Sequence, residues 1–345
     1  MRPLVDRDKL GETPLHKAVR KGDLADVEAL AEDSEALDAQ NNLGLAPVHL
    51  AIHEGNVRAF ELLMCAGAAL SDGGPMLMPC IYMALHHGPE MLEACLRWGA
   101  TLDTPKEGGL PLLHIACRSG ELASVRLLLA AGARVTELDP SGGSAMHHAA
   151  RSSPEMMREM ASAGLSYSDT AANGSEPLHS ASAADRPDCI RFLHREGRGV
   201  HAADDDGSVP LHYAASGGAE AAIQRLVELG ADLEARNRYG RTPLMVASGN
   251  LRDGAVELLL RLGADPAARS FDGGDYHDFR EWAEAQKRRI DEYAAALGEA
   301  SSAAARQRFG DNVPPGTIVW PDGTIGPSRK HRFWHDGGSE NKADS

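Results

Sequence analysis

Apolar residues recur along the chain at spacings of three and four. Leu122, Val125, Leu128 and Leu129 form one such set, and Val57, Phe60, Leu63 and Met64 hold the same slots elsewhere. These spacings put each set on one face of a helix. One short unit cannot bury such a face alone, so neighbouring units are expected to stack.

The pattern repeats with a fixed period. A Pro-Leu-His-like step followed two residues later by Ala appears as Thr13-Pro14-Leu15-His16 with Ala18, and as Ala46-Pro47-Val48-His49 with Ala51. It recurs at Tyr82 with Ala84, His114 with Ala116, His147 with Ala149, and His179 with Ala181. Val209-Pro210-Leu211-His212 with Ala214 and Thr242-Pro243-Leu244-Met245 with Ala247 complete the series. Successive steps are 33, 33, 32, 33, 32, 33 and 33 residues apart. Gly11, Gly44, Gly109, Gly142, Gly174, Gly207 and Gly240 precede these steps in phase. Gly-Ala pairs at 67, 99, 132, 230 and 263 close the units.

Each unit therefore reads as turn, short helix, turn, longer helix. Proline suits the first turn of a helix, where its missing N–H removes no bond. Thr13 and Thr242 fit N-caps. The early glycine permits positive φ in the turn, and the late one ends the second helix. Met76, Met78 and Met83 crowd the third unit, and Met146, Met156, Met157 and Met160 the fifth. Methionine fills irregular gaps, so looser interfaces are expected there.

This series resembles the ankyrin-repeat family, whose signature is a 33-residue unit carrying T-P-L-H-x-A. The resemblance spans about residues 5–270. It implies an all-α solenoid of about eight helix-turn-helix units. It also implies that the repeated histidine bonds between adjacent units. Residues 271–309 are expected to form a degenerate repeat and a capping helix, with Phe279, Trp282, Ile290, Tyr293 and Leu297 as a broken apolar stripe. A partner-binding or self-associating helix is the other reading of that segment. Residues 310–345 read as a short hairpin around Pro321-Asp322-Gly323 and a polar, partly disordered tail.

Composition narrows the function. The 345 residues carry 35 Lys and Arg against 50 Asp and Glu, a formal charge of −15. That balance argues against nucleic acid as the partner, despite the basic and aromatic run from Arg329 to His335. Phe333 and Trp334 are better read as packing on the chain's own surface. No apolar span or signal segment is evident, and the five cysteines form no CxxC pair. A cytoplasmic protein with reduced thiols is expected, although export by a dedicated machine would need no visible signal.

No catalytic motif stands out: G-x-S-x-G, a phosphate loop and H-E-x-x-H are all missing from the sequence. The expectation is a non-enzyme with no cofactor, no metal and no small-molecule substrate. Of the fifteen histidines, His16, His49, His114, His147, His179 and His212 occupy one repeating slot and are spaced along the stack rather than gathered. His49 and His53 could form half a metal site, but no third ligand is evident.

Members of the family usually bind through the turn tips and the exposed end of the first helix. Counting four and five residues past the histidine slot gives Arg20-Lys21, His53-Glu54, His86-His87, Arg118-Ser119 and Arg151-Ser152. The later pairs, Ala183-Ala184, Ser216-Gly217 and Gly249-Asn250, are small and neutral. The tips add Leu43, Met76, Arg238 and Tyr239. The partner expected from this row is a protein with an acidic segment. The alternative is an effector whose region 276–345 carries a second activity.

Overall fold

A computed structural model describes residues 8–70, 79–102, 110–288, 317–319 and 325–327. Met76, the helix expected over 289–309 and the basic–aromatic run near residue 330 lie outside them.

Short helices follow one another in pairs. The first pair is α1 (Pro14–Lys21) and α2 (Leu24–Leu30), followed by a single turn, α3 (Ser34–Leu37). Next come α4 (Pro47–His53) with α5 (Val57–Cys65), and α6 (Cys80–His86) with α7 (Pro89–Arg97). The pairs α8 (Leu112–Ser119) with α9 (Leu122–Ala130), and α10 (Ala145–Ala150) with α11 (Pro154–Ser162), occupy the middle. Then follow α12 (Pro177–Ala183) with α13 (Pro187–Arg195), and α14 (Pro210–Gly217) with α15 (Glu220–Glu228). The last pair is α16 (Pro243–Gly249) with α17 (Asp253–Leu262), and residues 276–288 are helical beyond it.

The first helices of successive pairs pack on one another, α8 through α16 without a break, and the second helices form a parallel layer. The core lies between the layers. Phe60, Leu63, Leu113, Val125, Leu128, Leu211 and Ile223 are all buried there. Thr13 and Thr242 cap α1 and α16, each hydroxyl accepting the amide N–H three residues on at 3.4 Å. The fifth-unit methionines depart from expectation. Met146, Met156, Met157 and Met160 are each no more than 1% exposed. Their unbranched chains fill this interface instead of loosening it, and Cys117 Sγ lies 3.4 Å from Met160 Sδ. A cavity of about 960 Å³ opens instead between the third and fourth pairs, against Tyr82, Leu96, Leu112 and Ala133.

Between the two helices of most pairs the chain turns through a left-handed residue, which is usually glycine, as at Gly22, Gly55, Gly120 and Gly218. Two units use another residue there: Asp185 and Leu251, both with φ 55°. Asp185 has a structural reason. Its Oδ1 accepts the Ala222 N–H at 2.7 Å, so it caps α15 of the next unit, whose own N-cap Ala219 has no side chain to do so.

Neighbouring turn tips are tied by backbone bonds. Asn42 N–H donates to Leu10 O at 3.0 Å, Ala172 N–H to Ser141 O at 3.0 Å, and Arg238 N–H to Asp206 O at 2.7 Å. Farther along, Thr317–Val319 and Ile325–Pro327 pair antiparallel, with Ile318 opposite Gly326. They belong to a separate compact unit, residues 280–345, while residues 1–279 form the first.

Candidate partner-binding surface

The repeated histidine knits the units and fixes the first helices in register. His16 Nε2 lies 2.9 Å from Leu45 O, His147 Nε2 3.0 Å from Ser175 O, and His212 Nε2 2.9 Å from Arg241 O. The other ring nitrogen, Nδ1, accepts the N-cap amide: Ser144 N–H at 3.2 Å, Glu176 N–H at 2.9 Å and Val209 N–H at 3.2 Å. An accepting Nδ1 leaves the proton on Nε2, so these imidazoles are neutral and donate to the next unit. Tyr82 does the same work in the third unit, its hydroxyl donating to Leu110 O at 3.1 Å. Burial holds His179 and His212 below the ordinary histidine range.

A second row leans on the first. His148 and Tyr213, each one residue past the slot, stack edge-on against His114 and His179 of the preceding unit. His148 Nε2 donates to Asp139 Oδ2 at 2.8 Å, and Tyr213 Oη to Asp204 Oδ2 at 2.7 Å. Burial would raise the Asp139 carboxyl, but hydrogen bonds from His148, Ser141 and the Gly143 N–H bring it down to about 2. Burial outweighs that carboxylate at His148 and keeps its pKa depressed.

The ends of the first helices present the side chains chosen by counting from the slot. Arg20, Lys21, His53, His86, His87 and Arg118 are exposed, and Arg151 is half-buried. They are not equivalent. Arg20 is held by the buried Glu12 and lies 3.7 Å from Glu54, so its charge is already countered. His53 also stands 3.7 Å from Glu54. His87 lies over Gly55, where a Cβ would come within 2.7 Å of its Nδ1.

Arg118 and Arg151 make no ion pair with a carboxylate among the described residues. Counting four and five places past the slot misses two further arginines seven places past it. Arg186 Nε donates to Arg151 O at 2.8 Å, and Arg252 Nε to Ser216 O at 3.1 Å. The later end of the row is therefore not neutral, as its own residues suggested: Arg252 brings positive charge back to it.

At the tips, Leu43 is 69% exposed and Tyr239 44%. Arg238 pairs with Asp206 at 2.6 Å, and its guanidinium lies 4.7 Å from the Tyr239 ring centre. Phe271, 73% exposed, follows Tyr239 one unit on and was not singled out from sequence.

Among the described residues no three His, Cys, Asp or Glu side chains gather as metal ligands. Burial pushes the Cys95, Cys117 and Cys189 thiols up to about 12, which removes their nucleophilic form at neutral pH. Among the described residues no helix is long and apolar enough to cross a membrane.

A family model for ankyrin repeats matches the chain in three copies, over residues 3–72, 113–204 and 178–270. A search of the curated proteins returns no match.

Proposed function

The chain belongs to the ankyrin-repeat family, whose repeats are generally protein–protein interaction modules, and we propose on that basis that it is a non-catalytic scaffold or adaptor. It holds a protein partner carrying an acidic segment. The partner lies along the ends of the first helices, against Lys21, His53, His86, His87, Arg118 and Arg151. The tips, Leu43, Arg238 and Tyr239 among the described residues, form the second contact. About eight units build the row, and the helix that begins at 276 closes the array, with Arg241 stacked on Phe279 at 4.6 Å.

One observation carries the reading. Arg118 and Arg151 stand at the ends of consecutive first helices without a carboxylate partner among the described residues, in a protein with a charge of −15. Uncompensated positive charge in an acidic molecule steers an acidic partner to that place.

The test is site-specific photo-crosslinking. A photoreactive residue replaces Ser119 or Ser216 on the row, or Arg58 or Glu228 on the second helices. The partner is expected to attach from the row positions. Attachment only from the second-helix positions contradicts the reading.

A further inference from the structure

We propose that the stretch of the row from α8 to the start of α13 binds a phosphorylated side chain of the partner polypeptide, with Arg118, Arg151 and Arg186 supplying the counter-charges. This rests on the partner-binding reading above and specifies its chemistry.

The geometry gathers three guanidinium groups. Arg118 and Arg151 occupy the same slot of adjacent first helices, and packed helices lie ~8–10 Å apart, within reach of two arginine side chains. Arg186 comes from the following unit and is fixed against Arg151 by its 2.8 Å bond to that residue's carbonyl. The crowding registers in the charge itself: burial, then Arg118 and Arg186, depress Arg151 below the usual arginine range.

No carboxylate among the described residues forms an ion pair with Arg118, Arg151 or Arg186. Several arginines elsewhere are paired, Arg97 with Glu61, Arg126 with Glu159 and Arg225 with Glu228. The nearby acids are engaged otherwise. Asp139 takes His148 and Ser141, Asp185 takes the Ala222 N–H, Glu155 takes Arg158, and Asp188 takes Arg191. A helix end favours one cation through its dipole. That accounts for Arg118 and for Arg151 singly, but not for three together.

A phosphate monoester suits three neighbouring guanidinium groups better than a carboxylate does. It carries about −1.5 to −2 charges and three acceptor oxygens. Arginine forks grip such oxygens two at a time. A lone carboxylate fills one fork and leaves the other cations opposed. Beside the cluster a cavity of about 230 Å³ opens against Leu85, Ile115, His86 and Arg118. It takes a small apolar side chain, so the recognised segment pairs a phosphorylated residue with an apolar neighbour. The charge of −15 opposes adsorption to an anionic membrane or a nucleic acid, which favours a polypeptide as the carrier.

The experiment measures binding of the full chain to fluorescent degenerate decapeptides. The central residue is phosphoserine or phosphothreonine in one library, and serine, threonine or glutamate in the others. The phosphorylated library is expected to bind at least tenfold more tightly than either. Arg118→Gln with Arg151→Gln should abolish that preference, Arg151→Lys should keep part of it, and Arg58→Gln on α5 should leave it intact. Melting temperatures identify any variant that fails to fold, and Arg151→Lys serves if the double variant does. Equal binding of the glutamate library overturns the phosphate assignment while leaving an acidic partner in place. A preference that survives the double variant, no binding of the phosphorylated library, or a stronger affinity for phosphatidylserine vesicles also overturns it.

Discussion

Pro111 stands at the N-cap of α8, three residues before His114, and its ring removes the amide proton that the histidine ring would accept. The Nδ1 of His114 is buried with no hydrogen-bond partner among the described residues, while Nε2 keeps its contact with Gly143 O at 3.1 Å. The equivalent histidines at 147, 179 and 212 have both nitrogens engaged.

Replacing Pro111 by Thr restores that donor and adds a capping hydroxyl. A buried unsatisfied acceptor costs about 1–3 kcal/mol. Losing the proline's restraint on the unfolded chain costs about 0.4–1 kcal/mol. Pro111→Thr is therefore expected to stabilise the protein by about 1 kcal/mol, seen as a higher midpoint in urea. A lower midpoint contradicts the account.

Stability should fall with acid in a defined window. Burial lowers His114 to about 4, while its unfolded value is near 6.5. The unfolded chain binds the proton first, so the stabilisation is complete above pH 6.5 and is lost as pH falls towards 4. His114 alone contributes on the order of 3 kcal/mol across that range. His148, His179 and His212 are depressed too and act in the same direction. Urea midpoints at pH 7.5 and 5.0 should differ clearly, and His114→Gln should shrink the difference. A flat profile from 7.5 to 5.0 excludes neutral buried imidazoles as a source of stability.

Asp185 links two units through its cap on α15. Asp185→Ala loses the acceptor and the short polar side chain that tolerates a left-handed turn. It should cost about 1–2 kcal/mol. Asp185→Asn keeps an acceptor and tolerates the turn, and should cost less than half as much. Equal losses would mean that the carboxylate, not the cap geometry, matters.

Much of this was legible in the chain. The histidine slot, the Gly-Ala closures and the threonine caps all follow from residues whose local roles are strongly constrained. A further series is readable in the chain: Asp8, Asn41, Asp139, Asp204 and Asn237, each eight residues before the slot, accept tip amides. Other features depend on contacts between units. Arg186 and Arg252 sit in turns, and their reach back to the preceding carbonyl has no signature in spacing. Nor does sequence tell that Arg20 is spent on Glu12 while Arg118 is not, because that depends on which side chains the stacking brings together.

The row of first-helix ends is the central claim, and association kinetics test it most directly. Rim charges act mainly on the rate of association and on its salt dependence. With the partner identified by crosslinking, rates are measured at two salt concentrations for Arg118→Glu with Arg151→Glu, for Arg20→Glu and for Arg58→Glu. The double reversal should slow association about tenfold or more at low salt and flatten the salt dependence. Arg20→Glu should have a smaller effect, since Glu12 and Glu54 already counter that charge, and Arg58→Glu almost none. Equal effects from all three, or none from the double reversal, would contradict the assignment of this row as the binding surface.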